Sequence, residues 1–393
     1  MKRKLIFSGL AAGALAVSGL AAALPGASAM PAHTNGGAHA VHVCGTHSKP
    51  GHARCYAMAV TAADGKVSGS VRPLAAAYTP AQIQSAYKLT GLLSGGRTVA
   101  LVDAFGYPNL ASDLAFYRSN YGLPACTVAN GCLKIMDQNG GTNYPPYNSG
   151  WALEQALDVD AVSAACPDCK IIMVQATTNS FANLETAVNR AALQTGVVAI
   201  SNSYGCSTCG NLPNNSAYQH PGIAVTASTG DSGFDGGSYP STDTHVVGVG
   251  GTSVFADGSA RGFHETVWNG AGSGCGYNNK PRWQNAANTT CTTKATADVS
   301  AAADPSNGGL NVRFNGAFIQ VGGTSESSPI IAAVYALSGN TTKYPAKFPY
   351  KNAGQLFDVT SGSNGACGIP VCQARAGWDG PTGMGTPNGV GAF

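Results

Sequence analysis

The chain has 393 residues, 10% of them charged, a formal net charge of +3 and 12 cysteines. That length suits one large domain or two ordinary ones. With no basic patch, neither nucleic acid nor an anionic membrane surface is an expected partner.

In chain order, residues 1–29 read as an export signal. "MKRK" is a basic start, a long apolar run follows, and Ala27-Ser28-Ala29 forms a cleavage pattern. The run is long enough for an uncleaved anchor, but its small residues and A-x-A ending favour removal. Removal takes away Lys2, Arg3 and Lys4 and leaves no formal net charge. The predicted destination is extracellular, with no stable membrane association and a monomeric state. In an exported chain the cysteines favour disulfides. They fall into neighbouring couples: Cys44/Cys55, Cys126/Cys132, Cys166/Cys169, Cys206/Cys209, Cys275/Cys291 and Cys367/Cys372. The two C-x-x-C units alternatively offer four thiolates to zinc, which an oxidising compartment disfavours.

Residues 30–77 are rich in Gly, Ala and His and carry His33, His39, His42, His47 and His52. Two readings fit this short leader. One is a solvated segment around a local Cys44–Cys55 loop. The other is a prosegment released as its histidines charge below about pH 6.5.

From Tyr78 the texture changes. "TPAQIQSAYKL" reads as a helix with Thr79 as its cap and Pro80 at its first position. Short apolar runs suited to buried strands follow: "TVALVDAF", "KIIMVQA", "GVVAISNSYG", "IAVTAST" and "HVVGVGG". Helical patterns alternate with them: "WALEQALDVDAVSAA", "SFANLETAVNRAALQ" and "ESSPIIAAVYALSG". Such alternation predicts an α/β domain with a mainly parallel sheet over 78–393.

Three features bear on chemistry. "TASTGDSG" contains GDSG, as does the nucleophile loop of trypsin-like proteases, but that fold is all β and needs earlier His and Asp partners. "VGGTSESSP" sets Ser325 on a glycine-rich turn at a helix start, where developing negative charge is favoured; an N-cap serine is the structural alternative. In "EQALDVD", Glu154 and Asp158 stand four apart and share a helix face, although like charges there repel. The alternative is a solvated helix surface. Asp103, at the end of "TVALVD", reads as a strand-end aspartate capping local backbone groups. An α/β-hydrolase esterase is disfavoured because no G-x-S-x-G occurs and the last histidine, His264, precedes Ser325.

Taken together, "EQALDVD", "SNSYG", "TASTGDSG", "YPSTDTHVVGVGGTSV", "ETVWN", "ADVSAAADP", "GGTSESSP" and "GWDGPTGMGTPNG" resemble the sedolisins, the serine-carboxyl peptidases, in family order. The resemblance covers 78–393 and implies a subtilisin-like α/β fold. It implies peptide hydrolysis with Ser325 as nucleophile, Glu154 as general base, Asp158 orienting it and Asp231 in the oxyanion hole. The family cleaves both internally and by removing N-terminal tripeptides. Carboxyl groups in these roles imply activity near pH 3–5. The resemblance also implies one structural calcium ion, held by the carboxylates of Asp358 and Asp379 and the carbonyls of Val359, Arg375 and Gly377. Arginine at 375 replaces the family's usual glycine. Family members usually carry a long, independently folded N-terminal prodomain, for which residues 30–77 are too few. That departure supports the rival reading, a non-catalytic relative with a binding or structural role.

Overall fold

The apolar runs become adjacent strands of one sheet, and the helical patterns become its covering layers. Three short strands come first, β1 (Ala40–His42), β2 (Arg54–Cys55) and β3 (Met58–Val60). Then follow α1 (Pro80–Ala86), β4 (Thr98–Ala104), α2 (Leu110–Asn120), β5 (Leu133–Asp137), α3 (Ser149–Ala165), β6 (Lys170–Ala176) and α4 (Phe181–Ala192). The middle of the chain forms β7 (Val197–Asn202), β8 (Tyr204–Gly205), β9 (Ala224–Ser228), β10 (Val247–Ala256) and β11 (Phe263–Val267). Next are β12 (Cys275–Asn279), α5 (Arg282–Ala286), β13 (Thr293–Ala295), β14 (Val299–Ala302), β15 (Leu310–Phe314), β16 (Ala317–Gly322) and α6 (Thr324–Ser338). This computed structural model describes residues 39–62, 66–67, 69–74, 76–209, 212–340 and 342–393. The predicted signal and His33 lie outside the described residues.

The large sheet runs β11-β10-β9-β7-β4-β6-β5, with β14 beside β10. Its pairings are parallel except that of β10 with β11. Successive residues of a strand face opposite sides, and β4 is buried along its whole length. Val99 and Leu101 pack into the cluster that contains α3 and α6. Ala100, Val102 and Ala104 pack into the one that contains α4. The alternation therefore turns Asp103 toward α3 and α6.

Local signals in the sequence explain the helix starts. Thr79 accepts from the Gln82 N–H while the Gln82 side chain accepts from the Thr79 N–H, a reciprocal cap. Ser180 caps α4. Helix α2 escapes a periodicity reading because its buried face includes Asp113 and Arg118. Tyr107 donates to Asp113, and Arg118 donates to the Pro167 carbonyl. All six cysteine couples form disulfides, so Cys166 and Cys169, which lie near Asp168, are bonded to each other and not available to zinc.

The leader corrects one expectation. The Cys44–Cys55 loop forms and its tip, Gly45, Thr46 and His47, is exposed, but the leader is not solvated throughout, since Ala53, Cys55, Tyr56, Ala57 and Ala59 are at most 1% exposed. β2 pairs with β8, and β3 joins β1, β16 and β15 in a second sheet. Among the described residues, no helix is long and apolar enough to cross a membrane.

Candidate active site

Helix α3 is buried from Trp151 to Ala165, so its shared Glu154/Asp158 face has no solvent to meet. The solvated-surface alternative is thereby excluded. That face is turned toward α6, in which Ser325 is the second residue. The cap of α6 is Gly323, at φ 103°, a region that favours glycine. Ser325 therefore is not a cap. Its Oγ donates to the Ser203 carbonyl at 3.1 Å. Ser203, in the link between β7 and β8, donates from its own Oγ to Asp158 Oδ1 at 2.6 Å. The link thus touches both the helix serine and the helix aspartate.

Glu154 Oε2 accepts from the Ala57 backbone N–H at 2.8 Å, while Oε1 has no well-formed hydrogen bond. Burial pushes the Glu154 carboxyl well up and the charge of Asp103 adds to it; the Ser325 hydroxyl and the Ala57 N–H act the other way. Asp158 is also driven well up, by burial first and then by Asp103 and Glu154, against the Ser203 hydrogen bond. Three carboxyls in one dry space cannot all ionise together.

Asp103 departs from its predicted role. Neither of its oxygens has a hydrogen-bond partner, so it caps no backbone group. It is fully buried, and burial raises its pKa strongly. The signal for it was the side-alternation of β4, which needs the helices in place to be read. Glu326 is a second buried carboxyl that sequence reasoning left without a role. Next to Ser325, it has no well-formed hydrogen bond, and burial, then the charge of Asp304, raises its pKa against a Leu310 N–H.

Asp231 enters from the loop after β9. Its Oδ1 accepts from the Thr324 N–H and hydroxyl, both at 2.8 Å, and its Oδ2 is unpartnered. Burial pushes its carboxyl up to about 7, against the two Thr324 bonds and the charge of Arg54. The neighbouring Ser232 is exposed and accepts from Arg54 Nη2 at 3.0 Å. GDSG thus turns its aspartate inward and its serine outward. Of the leader histidines, His42 sits beside Arg54. Burial, then that cation, pushes its imidazole down to about 4, below the value the released-prosegment reading assumed.

At the C-terminal end, Asp358 Oδ2 accepts from the Gly377 N–H at 2.9 Å. Asp379 is 0% exposed and pushed up to about 7, chiefly by burial, with the Asp358 charge contributing. The Arg375 guanidinium does not neutralise this pair; it donates to the Trp378 and Asn288 carbonyls at 2.9 and 2.8 Å. Two neighbouring carboxylates with the local cation directed elsewhere fit a hard oxygen-binding ion.

No family model matches the chain. Kumamolisin from Bacillus sp. (strain MN-32) is 30% identical over 355 residues, 80% of this chain and 62% of that one. Sedolisin from Pseudomonas sp. (strain 101) is 26% identical over 352 residues, 79% of this chain and 59% of that one. The chain therefore spans about six tenths of the length of these curated relatives. Among solved structures, Pseudomonas sedolisin complexed with two molecules of pseudo-iodotyrostatin superposes with a TM-score of 0.66. That match is 23% identical and covers 82% of this chain and 96% of that one.

Proposed function

The chain belongs to the sedolisin family, and from that premise we propose that it is a secreted, acid-active serine-carboxyl peptidase. Ser325 attacks the peptide carbonyl, Glu154 takes its proton, and Asp158 orients and electrostatically supports Glu154. An acyl-enzyme forms and water hydrolyses it. Asp231 donates from its unpartnered Oδ2 to the developing oxyanion. A carboxyl can do this only while neutral, and a value near 7 keeps the proton on through the acid range. Asp103 adds charge repulsion that raises the basicity of Glu154.

The observation that carries this reading is the convergence of four side chains from three chain-distant segments. Glu154 and Asp158 on α3, Asp231 after β9 and Ser325 on α6 meet in one buried space. A single structural calcium ion would be held by the Asp358 and Asp379 carboxylates with the Val359, Arg375 and Gly377 carbonyls, tying two loops together. Six disulfides suit the oxidising exterior. The test is a rate–pH profile on a denatured protein substrate. Wild type and Ser232→Ala are expected to peak at roughly pH 3–5 and Ser325→Ala to be inert. A peak near neutrality, or equal loss in both variants, would overturn the assignment.

A further inference from the structure

The groove over this site holds the protein's own chain. Residues 54–60 cross it extended. Arg54 and Cys55 pair antiparallel with Gly205 and Tyr204, and Met58 and Ala59 pair antiparallel with Gly322 and Val321. Between these two pairings lies the Tyr56–Ala57 peptide bond. The Tyr56 N–H donates to the Ser203 carbonyl at 3.3 Å, the same oxygen that accepts from Ser325 Oγ at 3.1 Å. The Tyr56 carbonyl oxygen lies over Gly323, 2.0 Å from where a Cβ would stand, and Asp231 Oδ2 is 2.5 Å from that same point. The Ala57 N–H donates to Glu154 Oε2. Nucleophile, acid and base thus gather around one bond, with the base bonded to its nitrogen and the unpartnered Asp231 Oδ2 close to its oxygen.

The Tyr56 ring fills a closed pocket. It is 0% exposed, and its hydroxyl hydrogen-bonds to Ser238. A Cβ at Gly205 would stand 2.9 Å from the ring, so glycine makes the room. Arg54 stacks over the ring at 4.7 Å and is fixed by the Gly45 carbonyl and Ser232.

We infer that Tyr56–Ala57 is held as a substrate and is the bond this protein cuts in its own chain, and that the pocket selects tyrosine on the acyl side of other substrates. This rests on the peptidase reading above and names its substrate class. Ser325 Oγ bonds to the Tyr56 carbonyl carbon and passes its proton to Glu154. The C–N bond breaks, and Glu154 returns the proton to the Ala57 nitrogen. Water then hydrolyses the Tyr56 ester, freeing Ser325 and a Tyr56 carboxylate. Because Cys44 and Cys55 are bonded to each other, no disulfide ties the departing piece to the rest of the protein. Residues from Ala57 onward keep their pairing with β16.

The experiment follows the purified full chain after a shift from neutrality to about pH 4, by intact mass and N-terminal sequencing. In parallel, peptides carrying Tyr, Phe or Asp before Ala are assayed. Expected is a new N-terminus at Ala57, first order and independent of protein concentration. Ser325→Ala should keep the bond whole. Tyr56→Asp, which buries a charge, should slow the cut at least about 100-fold, and Tyr56→Phe only several-fold. Tyr peptides should be cut fastest. Ser325-dependent cleavage of added protein with Tyr56–Ala57 intact, or a first cut elsewhere, would overturn the inference and leave the peptidase reading standing. No cleavage of any substrate would overturn both.

Discussion

Two sets of buried carboxyls in this protein have opposite surroundings. Asp298 is 0% exposed, yet it receives Lys294 Nζ at 3.0 Å, the Gly248 N–H at 2.8 Å, Gln284 Nε2 at 3.0 Å and the Tyr350 hydroxyl at 2.8 Å. Glu154, Asp158 and Asp103 are equally buried but repel one another, and four of their six oxygens have no well-formed partner. The first arrangement satisfies a charge and holds structure together. The second withholds partners, so that proton affinity stays high where a base is needed in acid. Burial alone does not separate the two; the partner list does.

The contrast can be broken most severely at Glu154. Glu154→Gln keeps an acceptor for the Ala57 N–H but removes the base, so kcat/KM should fall by about 10³-fold or more. Its melting temperature at pH 7 should rise, because a repelling buried group is gone; a drop would make Glu154 a structural residue. Lys294→Met should do the reverse. Leaving Asp298 buried without its cation should cost about 3 kcal/mol in a denaturant titration, while the pH of maximal rate stays put.

Asp231 sharpens the comparison through pH. Its folded value near 7 lies above the ordinary 3.8, so its contribution to stability is fully present below about 4 and is lost as pH rises through 7. Wild type should therefore melt lower at pH 7.5 than at pH 4. Asp231→Asn, which cannot ionise, should flatten that difference and extend the alkaline limb of the rate profile. An unchanged slope would place the titration elsewhere. The smallest effect expected is from chelation. Removing free calcium should lower the melting temperature by a few degrees at pH 6, and Asp379→Asn should abolish that response.

Much of the fold was legible because its signals are short-range. The run "KIIMVQA" is β6 residue for residue, and Thr79-Pro80 marks the start of α1. Each cysteine found the partner nearest in sequence. Helical spacing put Glu154 and Asp158 on one face without any knowledge of what that face meets.

Other features were beyond any local reading. Asp103 looked like a capping residue because its carboxyl neighbours are 51 or more positions away. The leader looked solvated because its partners, β8 and β16, lie far along the chain. What the sequence by itself determined was periodicity, caps and the inventory of carboxyls. Which carboxyls repel, which are paired, and which peptide bond lies beneath Asp231 and beside Ser325 were decided only by tertiary packing. The physical reason is that desolvation and charge coupling act over a few ångströms of space, whatever the separation along the chain.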